Sequence, residues 1–107
     1  MNPPEISVAE LRRLRDDRAD FVLLDVREDD ELATVRVDFA RHIPMKQVPE
    51  RLAELPRDKP LVLMCHHGSR SARVTRYLRE NGYAQAVNLE GGIDAWAAEV
   101  DPALARY

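Results

Sequence analysis

The sequence contains a single cysteine, Cys65, and only four glycines among its 107 residues. One cysteine cannot form an internal disulfide, which fits a reducing compartment. It also leaves Cys65 without a second thiol in the same chain to react with. We therefore expect any covalent intermediate on Cys65 to be resolved by a partner from outside the chain.

Long apolar runs and an excess of positive charge are also missing. No run approaches the roughly 20 apolar residues of a membrane span, and residues 1–17 contain no apolar core of the kind found in signal peptides. The net charge of −3 gives no reason to expect a nucleic acid as partner. We therefore expect a cytoplasmic protein that binds neither nucleic acid nor a membrane.

The composition is that of an ordinary soluble globular protein, with 45% hydrophobic and 33% charged residues. A chain of 107 residues is long enough to build a core without disulfides or a metal. It contains no internal repeat, low-complexity tract or linker. We expect one domain over residues 1–107.

The most informative stretch leads from an apolar run into the cysteine. Leu61–Met64 is a continuous apolar segment after Pro60, which is typical of a strand buried on both faces of a parallel sheet. From Ser71 onward the sequence predicts a helix that ends near Gly82, because apolar side chains recur at helical spacing at Val74, Tyr77 and Leu78. Cys65 therefore lies in a loop between a strand and a helix.

The N-terminus of a helix favours an anion, because its first N–H groups are unpaired and its dipole is positive there. A cysteine can supply that anion as a thiolate or a persulfide. The alternative is that Cys65 is simply a small buried hydrophobic residue. The preceding strand, the loop with Gly68 and the basic start of the helix favour the reactive thiol. A side chain that faced the core, away from the loop, would contradict this interpretation.

Two further apolar segments predict strands of the same sheet. Phe21–Leu24 runs into Asp25-Val26-Arg27-Glu28, and Ala86–Leu89 runs into Gly91-Gly92 and a helix that includes Trp96. Alternating buried strands and helices imply parallel strands joined by right-handed crossovers. A carboxylate and a guanidinium, Asp25 and Arg27, would then lie at the same sheet edge as Cys65, as an ion pair that braces the loops.

Local patterns predict the remaining elements. Ser7 and Glu10 form a capping box that begins a helix, and Ile6 before them can begin a short edge strand. The acidic segment 28–33 predicts a short helix. Pro49 predicts the first turn of another helix, which turns its leucines inward and ends at Pro56. A short strand is expected after His42. We interpret His42 itself as a structural hydrogen-bonding residue.

Three of these segments, Asp25–Glu28, Cys65–Ser71 and Gly91–Trp96, resemble in order and spacing the signatures of rhodanese-family sulfurtransferases. With the strand and helix pattern, the resemblance covers nearly the whole chain. It implies an α/β fold with about five parallel strands, helices on both faces, and a reactive loop at the C-terminal edge of the strands.

The resemblance also implies a function and a site. A sulfane sulfur from thiosulfate or a small persulfide would pass through a persulfide on Cys65 to a thiol, to cyanide or to a sulfur-accepting protein. Backbone N–H groups of the loop would surround the sulfur, Arg70 would hold the anionic group of the donor, and no cofactor is implied. The expected substrate-binding residues are His66, His67, Gly68, Ser69 and Arg70, and the expected supporting residues are Asp25, Arg27 and Ser71.

The sequence departs from the family pattern at several positions. Asp29, Asp30 and Glu31 stand where two-domain thiosulfate enzymes are expected to carry a substrate-binding arginine, which argues against thiosulfate as the natural donor. Arg36 and Phe39 occupy the usual histidine and glycine positions of the next segment. Phe39 indicates either a changed backbone or an aromatic wall near the pocket.

Two other functions remain open. The chain could be a sulfur carrier or partner-binding module with negligible free turnover. It could also be a phosphatase or arsenate reductase, but those enzymes resemble C-x5-R, whereas Arg70 follows Cys65 by five positions and Ser71 takes the sixth. A metal site is not expected, because the adjacent Cys65, His66 and His67 cannot all converge on one ion. We expect most of the arginines after Arg70 to lie on a solvated face, and Arg73, one turn into the helix, is an alternative anion contact.

Overall fold

The computed structural model describes residues 2–107, and within them the chain forms one parallel sheet between two helical layers. The sheet has five strands in the order β1-β5-β4-β2-β3, and every neighbouring pair is parallel. The expected five-stranded parallel α/β fold is therefore confirmed. The strands are β1 (Glu5–Ile6), β2 (Val22–Asp25), β3 (Arg41–His42), β4 (Leu61–Met64) and β5 (Ala86–Leu89).

Within residues 2–107, three α helices and two 3-10 segments connect the strands, and a fourth α helix follows the last strand. The 3-10 segments, Met45–Gln47 and Pro49–Glu54, lie between β3 and β4. None of the helices in the described residues is both long and apolar enough to cross a lipid bilayer. The helices are α1 (Val8–Asp16), α2 (Asp29–Thr34), α3 (Ser69–Glu80) and α4 (Gly92–Glu99).

Each face of the sheet has its own hydrophobic core, because successive side chains of a strand point to opposite faces. Leu61 and Leu63 face α3 and the 3-10 segments, and Cys65 lies on the same side. Val62 and Met64 face α1 and α4. The central strand that leads to Cys65 is therefore covered on both sides, as its continuous apolar run predicted.

The local signals at the first helix act as predicted. The Ser7 side chain accepts the Glu10 N–H at 3.1 Å, and the Glu10 carboxylate accepts the Ser7 N–H at 3.3 Å. Ile6 lies in β1 at the edge of the sheet. The Trp96 side chain is buried between α4 and the sheet, as expected for a core residue.

Two predicted boundaries are wrong, and one predicted helix is of a different type. Helix α3 begins at Ser69 rather than Ser71, because Gly68 turns the chain into the helix at φ 108° and the polar residues that follow left no apolar signal. The segment after Pro49 is 3-10 rather than α, with an interruption at Arg51, since leucines three residues apart fit a three-residue turn equally well. His42 is the last residue of β3 instead of preceding the strand.

Candidate active site

The C-terminal ends of β2 and β4 lie side by side, with Asp25 paired in register with Met64. Cys65 follows β4 directly, and three residues separate it from α3. Ligand sites in parallel sheets lie outside this edge of the strands. The topology therefore brings the β2 signature and the cysteine loop to one place.

The Cys65 sulfur faces the loop that follows it. Sγ lies 3.1 Å from the Gly68 N atom, whose N–H points at it, and 3.3 Å from the Ser71 Oγ. The residue itself is only 1% exposed. The first N–H groups of an α helix have no partner within the helix, so those of Ser69 and Arg70 belong to the same electropositive end of α3.

A buried polar network holds the helix start in place. The Ser71 Oγ lies 2.6 Å from the Asn88 Oδ1, and the Asn88 side-chain amide donates to the Gly68 carbonyl at 3.1 Å. A hydroxyl has one proton, so Ser71 can donate to Asn88 or to Cys65 but not to both at once. Asn88 thus connects β5 to the reactive loop.

Backbone hydrogen bonds join the loop to the start of α4. The N–H groups of Ile93 and Asp94 donate to the carbonyls of Cys65 and His66 at 2.9 and 3.1 Å. Gly92 lies so close to these two carbonyl oxygens that a Cβ there would clash with them. The close approach explains why a glycine stands at this position.

The two loop histidines lie in a stack of rings. The His66 ring is 3.8 Å from the His67 ring and 3.8 Å from the Tyr107 ring, to which it is nearly parallel at 5°. Within residues 2–107 the buried His66 Nε2 has no hydrogen-bond partner. Donor atoms of His66, His67 and Asp94 lie within 4.8 Å of one another, but the Asp94 carboxylate already binds Arg106 at 2.9 and 3.1 Å.

Asp25 and Arg27 form a buried ion pair, with 2.7 Å between Arg27 Nη2 and Asp25 Oδ2. The guanidinium also donates to the Val35 carbonyl at 2.9 Å. Burial alone would lower the pKa of Arg27, but hydrogen bonds to Asp25 and Tyr107 outweigh it and raise the pKa above its usual value. The ion pair therefore holds the C-terminal end of β2 in place.

The Arg70 side chain pairs with a residue of α2. Its Nη1 and Nη2 donate to the two carboxylate oxygens of Glu31 at 2.6 and 2.9 Å. The hydrogen bond from Arg70 lowers the pKa of Glu31 to about 2, against the opposing effect of burial. The same bond raises the pKa of Arg70, and Cys65 adds a smaller electrostatic effect in the same direction.

Tyr107 joins the two ion pairs. Its hydroxyl donates to Glu31 Oε2 at 2.7 Å and accepts from Arg27 Nη1 at 2.9 Å. Burial raises the pKa of this phenol, so it is neutral and able to donate near pH 7. Asp25, Arg27, Tyr107, Glu31 and Arg70 thus form one connected network beside the reactive loop.

The structure therefore brings together the predicted residues of the β2 signature and the cysteine loop. Arg73 does not join them, because it is exposed on α3. The His42 Nε2–H donates a 2.7 Å hydrogen bond to the Arg27 carbonyl, which is a structural contact. Phe39 packs edge-to-face on Trp96 at 5.6 Å, on the face of α1 and α4.

Three residues of the site were missed in the sequence. Asn88 could have been found, because it is a polar residue inside an otherwise apolar strand near the C-terminal edge. Glu31 was seen only as part of an acidic segment, and its pairing with Arg70 spans 39 positions. Tyr107 is 76 positions from Glu31, and no local pattern pointed to it.

Comparison with known proteins agrees with this geometry. Residues 7–99 match the model of the family described as "Rhodanese-like domain". "Putative sulfurtransferase YtwF" of Bacillus subtilis (strain 168) is 41% identical over 102 residues, which are 95% of this chain and 98% of that protein. A "Sulfurtransferase" of Allochromatium vinosum is 37% identical over 101 residues, covering 94% of each chain.

A solved structure shows the same architecture. The crystal structure of a rhodanese-like domain protein from Staphylococcus aureus superposes with a TM-score of 0.84 at 34% identity, covering 97% of this chain and 98% of the other. Both the sequence and the arrangement of strands around Cys65 thus agree with one family. The chain belongs to the rhodanese-like domain family, and its kind of activity is that of a sulfurtransferase.

Proposed function

We propose that the protein transfers a sulfane sulfur from thiosulfate or a small persulfide to a thiol or cyanide through a persulfide on Cys65. The observation that carries the proposal is the Gly68 N–H that points at the Cys65 sulfur from 3.1 Å, at the N-terminus of α3. An N–H donor at a helix start stabilises an anionic sulfur, whether it is a thiolate or a persulfide.

The chemistry has two displacement steps. In the first, the Cys65 thiolate attacks the outer sulfur of the donor, and the donor's S–S bond breaks. The bonding electrons leave with sulfite or with a thiolate, and Cys65 keeps the transferred sulfur as a persulfide. In the second, an acceptor thiolate or cyanide attacks that outer sulfur, and the Cys65 thiolate is released. A sulfur-accepting protein could present the acceptor thiol.

The loop residues have separate roles in this proposal. The backbone N–H groups of Gly68, Ser69 and Arg70 stabilise the sulfur anion in both steps. His66 and His67 line the entrance, where their rings are stacked. Ser71 positions the sulfur through its hydroxyl, while Asp25 and Arg27 brace the neighbouring strand end. No step needs a metal or a cofactor.

A second candidate is a sulfur carrier that exchanges sulfur only with a partner protein. The observation that favours it is the 1% exposure of Cys65, which slows the approach of free small molecules. The two candidates share the persulfide but differ in turnover with a small acceptor. Cyanide-dependent formation of thiocyanate separates them, because a carrier that depends on a partner protein gives negligible turnover.

The test is intact mass spectrometry after incubation with thiosulfate or with glutathione persulfide. We expect a gain of one sulfur atom that disappears when a thiol is added. Cys65→Ser should show no gain and no sulfur transfer, with an unchanged circular dichroism spectrum. Activity retained by Cys65→Ser would refute the proposal, and turnover of a phosphate ester instead would favour the phosphatase interpretation.

A further inference from the structure

Arg70 belongs to the Cys65–Ser71 segment, and the fork of its guanidinium already binds a carboxylate. The two N–H groups of its fork contact both oxygens of Glu31, at 2.6 and 2.9 Å. This bidentate geometry is the one in which a guanidinium binds a carboxylate or a tetrahedral oxyanion such as phosphate. Glu31 therefore occupies the place on Arg70 that the sulfonate oxygens of thiosulfate would need.

The Glu31 carboxylate is held from other directions as well. It accepts the Tyr107 hydroxyl at 2.7 Å and the Glu28 N–H at 3.1 Å, in addition to the two bonds from Arg70. Four donors satisfy the usual capacity of an ionised carboxylate. Its side chain is 17% exposed, so the carboxylate is held largely within the protein. A weakly bound anion from solution cannot easily replace it.

The charges beside the loop cancel. Arg27 is neutralised by Asp25, and Arg70 is neutralised by Glu31, so two cations face two carboxylates. Thiosulfate carries two negative charges. At this site the Arg70 guanidinium is already paired with Glu31, whose carboxylate repels a second anion. A thiol persulfide presents its outer sulfur and releases a thiolate with a single charge, which the N–H groups at the start of α3 can stabilise.

We propose that Glu31 is a specificity-determining residue, which occupies Arg70 and so directs Cys65 toward persulfides of small thiols and away from thiosulfate. This inference rests on the proposed function, because it concerns the donor of the same Cys65 persulfide. With the favoured donor R–S–SH, the Cys65 thiolate takes the outer sulfur, the S–S bond breaks and R–S⁻ leaves with the bonding electrons. Tyr107 supports Glu31 and adds an aromatic ring next to His66.

The experiment compares two donors, thiosulfate and glutathione persulfide, with cyanide as the common acceptor. In the wild-type protein we expect a higher kcat/KM for the persulfide. Glu31→Gln should lower the KM for thiosulfate about tenfold, which corresponds to about 1.4 kcal/mol, while the persulfide constants change less than about twofold. The kcat for thiosulfate should change little, since the variant alters binding of the donor.

Two matched variants identify the cause. Asp30→Asn removes the same charge from the same helix at an exposed position, and should leave both donor constants unchanged. The double variant Glu31→Gln/Arg70→Ala should return to about the wild-type KM for thiosulfate, because the freed arginine is gone. Glu31→Ala should repeat the gain of Glu31→Gln, since it retains no oxygen for Arg70.

An unchanged thiosulfate KM in both Glu31 variants would overturn the inference, as would an equal gain in Asp30→Asn. Intact mass spectrometry of the persulfide on Cys65 distinguishes this failure from a failure of the proposed function. If Cys65 gains sulfur from either donor while the Glu31 variants change nothing, only the role of Glu31 is wrong. If Cys65 gains sulfur from neither donor, the proposed function fails, and the inference fails with it.

Discussion

Two arginine–carboxylate pairs, Asp25–Arg27 and Glu31–Arg70, lie near the same edge of the sheet, but one is more deeply buried than the other. Asp25–Arg27 closes at 2.7 Å with both side chains almost fully buried, at 1% and 0% exposure. Glu31–Arg70 closes at 2.6 Å with side chains that remain partly exposed. The bond lengths are equal within 0.1 Å, so distance alone does not rank the two pairs.

Burial decides what each pair does. Removing one partner of a buried pair leaves an uncompensated charge inside the protein, whereas a partly exposed pair can be replaced by water at little cost. The inner pair therefore holds the end of β2, whereas we expect loss of the outer pair to leave the fold intact. The outer pair is thus the better place to test an effect on donor binding.

The largest expected effect is at the inner pair. Asp25→Ala should lower the free energy of unfolding by about 3–5 kcal/mol, because the buried Arg27 guanidinium loses its counter-ion. Urea denaturation measures the change. The matched control is Asp20→Ala, which breaks the exposed ion pair with Lys59 and should cost at most about 1 kcal/mol. Equal losses in the two variants would contradict the contrast between buried and exposed pairs.

Next in size is the link between the pairs. Tyr107→Phe removes one hydrogen bond to Arg27 and one to Glu31 but keeps the ring against His66. We expect a loss of about 1–2 kcal/mol in unfolding free energy, since both partners are charged. Tyr77→Phe is the control, because within residues 2–107 its hydroxyl makes no hydrogen bond. A larger loss at Tyr77 would show that the hydroxyl of Tyr107 is not a significant link.

Breaking the outer pair should have a small effect on stability. Arg70→Ala is expected to cost less than about 1 kcal/mol, because the pair is partly exposed and Glu31 keeps its bonds to Tyr107 and the Glu28 N–H. The same variant should raise the KM for thiosulfate, since Glu31 is left as an unpaired negative charge. Thermal unfolding and steady-state kinetics measure the two effects. An unaltered KM would remove Arg70 from the site.

Acid should also weaken the outer pair. The pKa of Glu31 is lowered from 4.5 to about 2, so the folded protein holds this carboxylate ionised where the unfolded chain protonates it. Its contribution to stability is complete above pH 4.5 and is lost as the pH falls toward 2. Glu31→Gln should remove this part of the acid dependence in urea titrations between pH 5 and 2, and a profile identical to wild type would refute the assignment.

The sequence predicted the parts of the site that follow from local pattern. Leu61–Met64 could be predicted as a buried strand because its four apolar residues fit a strand with both faces covered. The position of Cys65 followed from the strand before it and the helical spacing after it. The start of α3 was misplaced because Gly68 sets it through a positive φ, which leaves no trace in hydrophobic periodicity.

Contacts between distant segments could not be predicted in the same way. Arg70 was assigned to the donor's anion from its place in the loop, whereas the structure pairs it with a residue from another helix. The partner of Arg70 depends on how α2 and residues near Tyr107 pack around the sheet. That packing cannot be read from local patterns in a single sequence. Asn88 was also missed, although a polar side chain within a buried strand requires a partner and could have been noticed.

The two outermost strands, β1 and β3, are each only two residues long, whereas the three inner strands have four. Short edges present few free backbone groups with which another chain could extend the sheet. The apolar segments that support the reactive cysteine are thus kept in the middle, away from intermolecular β-pairing. The order of the strands therefore gives this sheet protection against edge-to-edge aggregation.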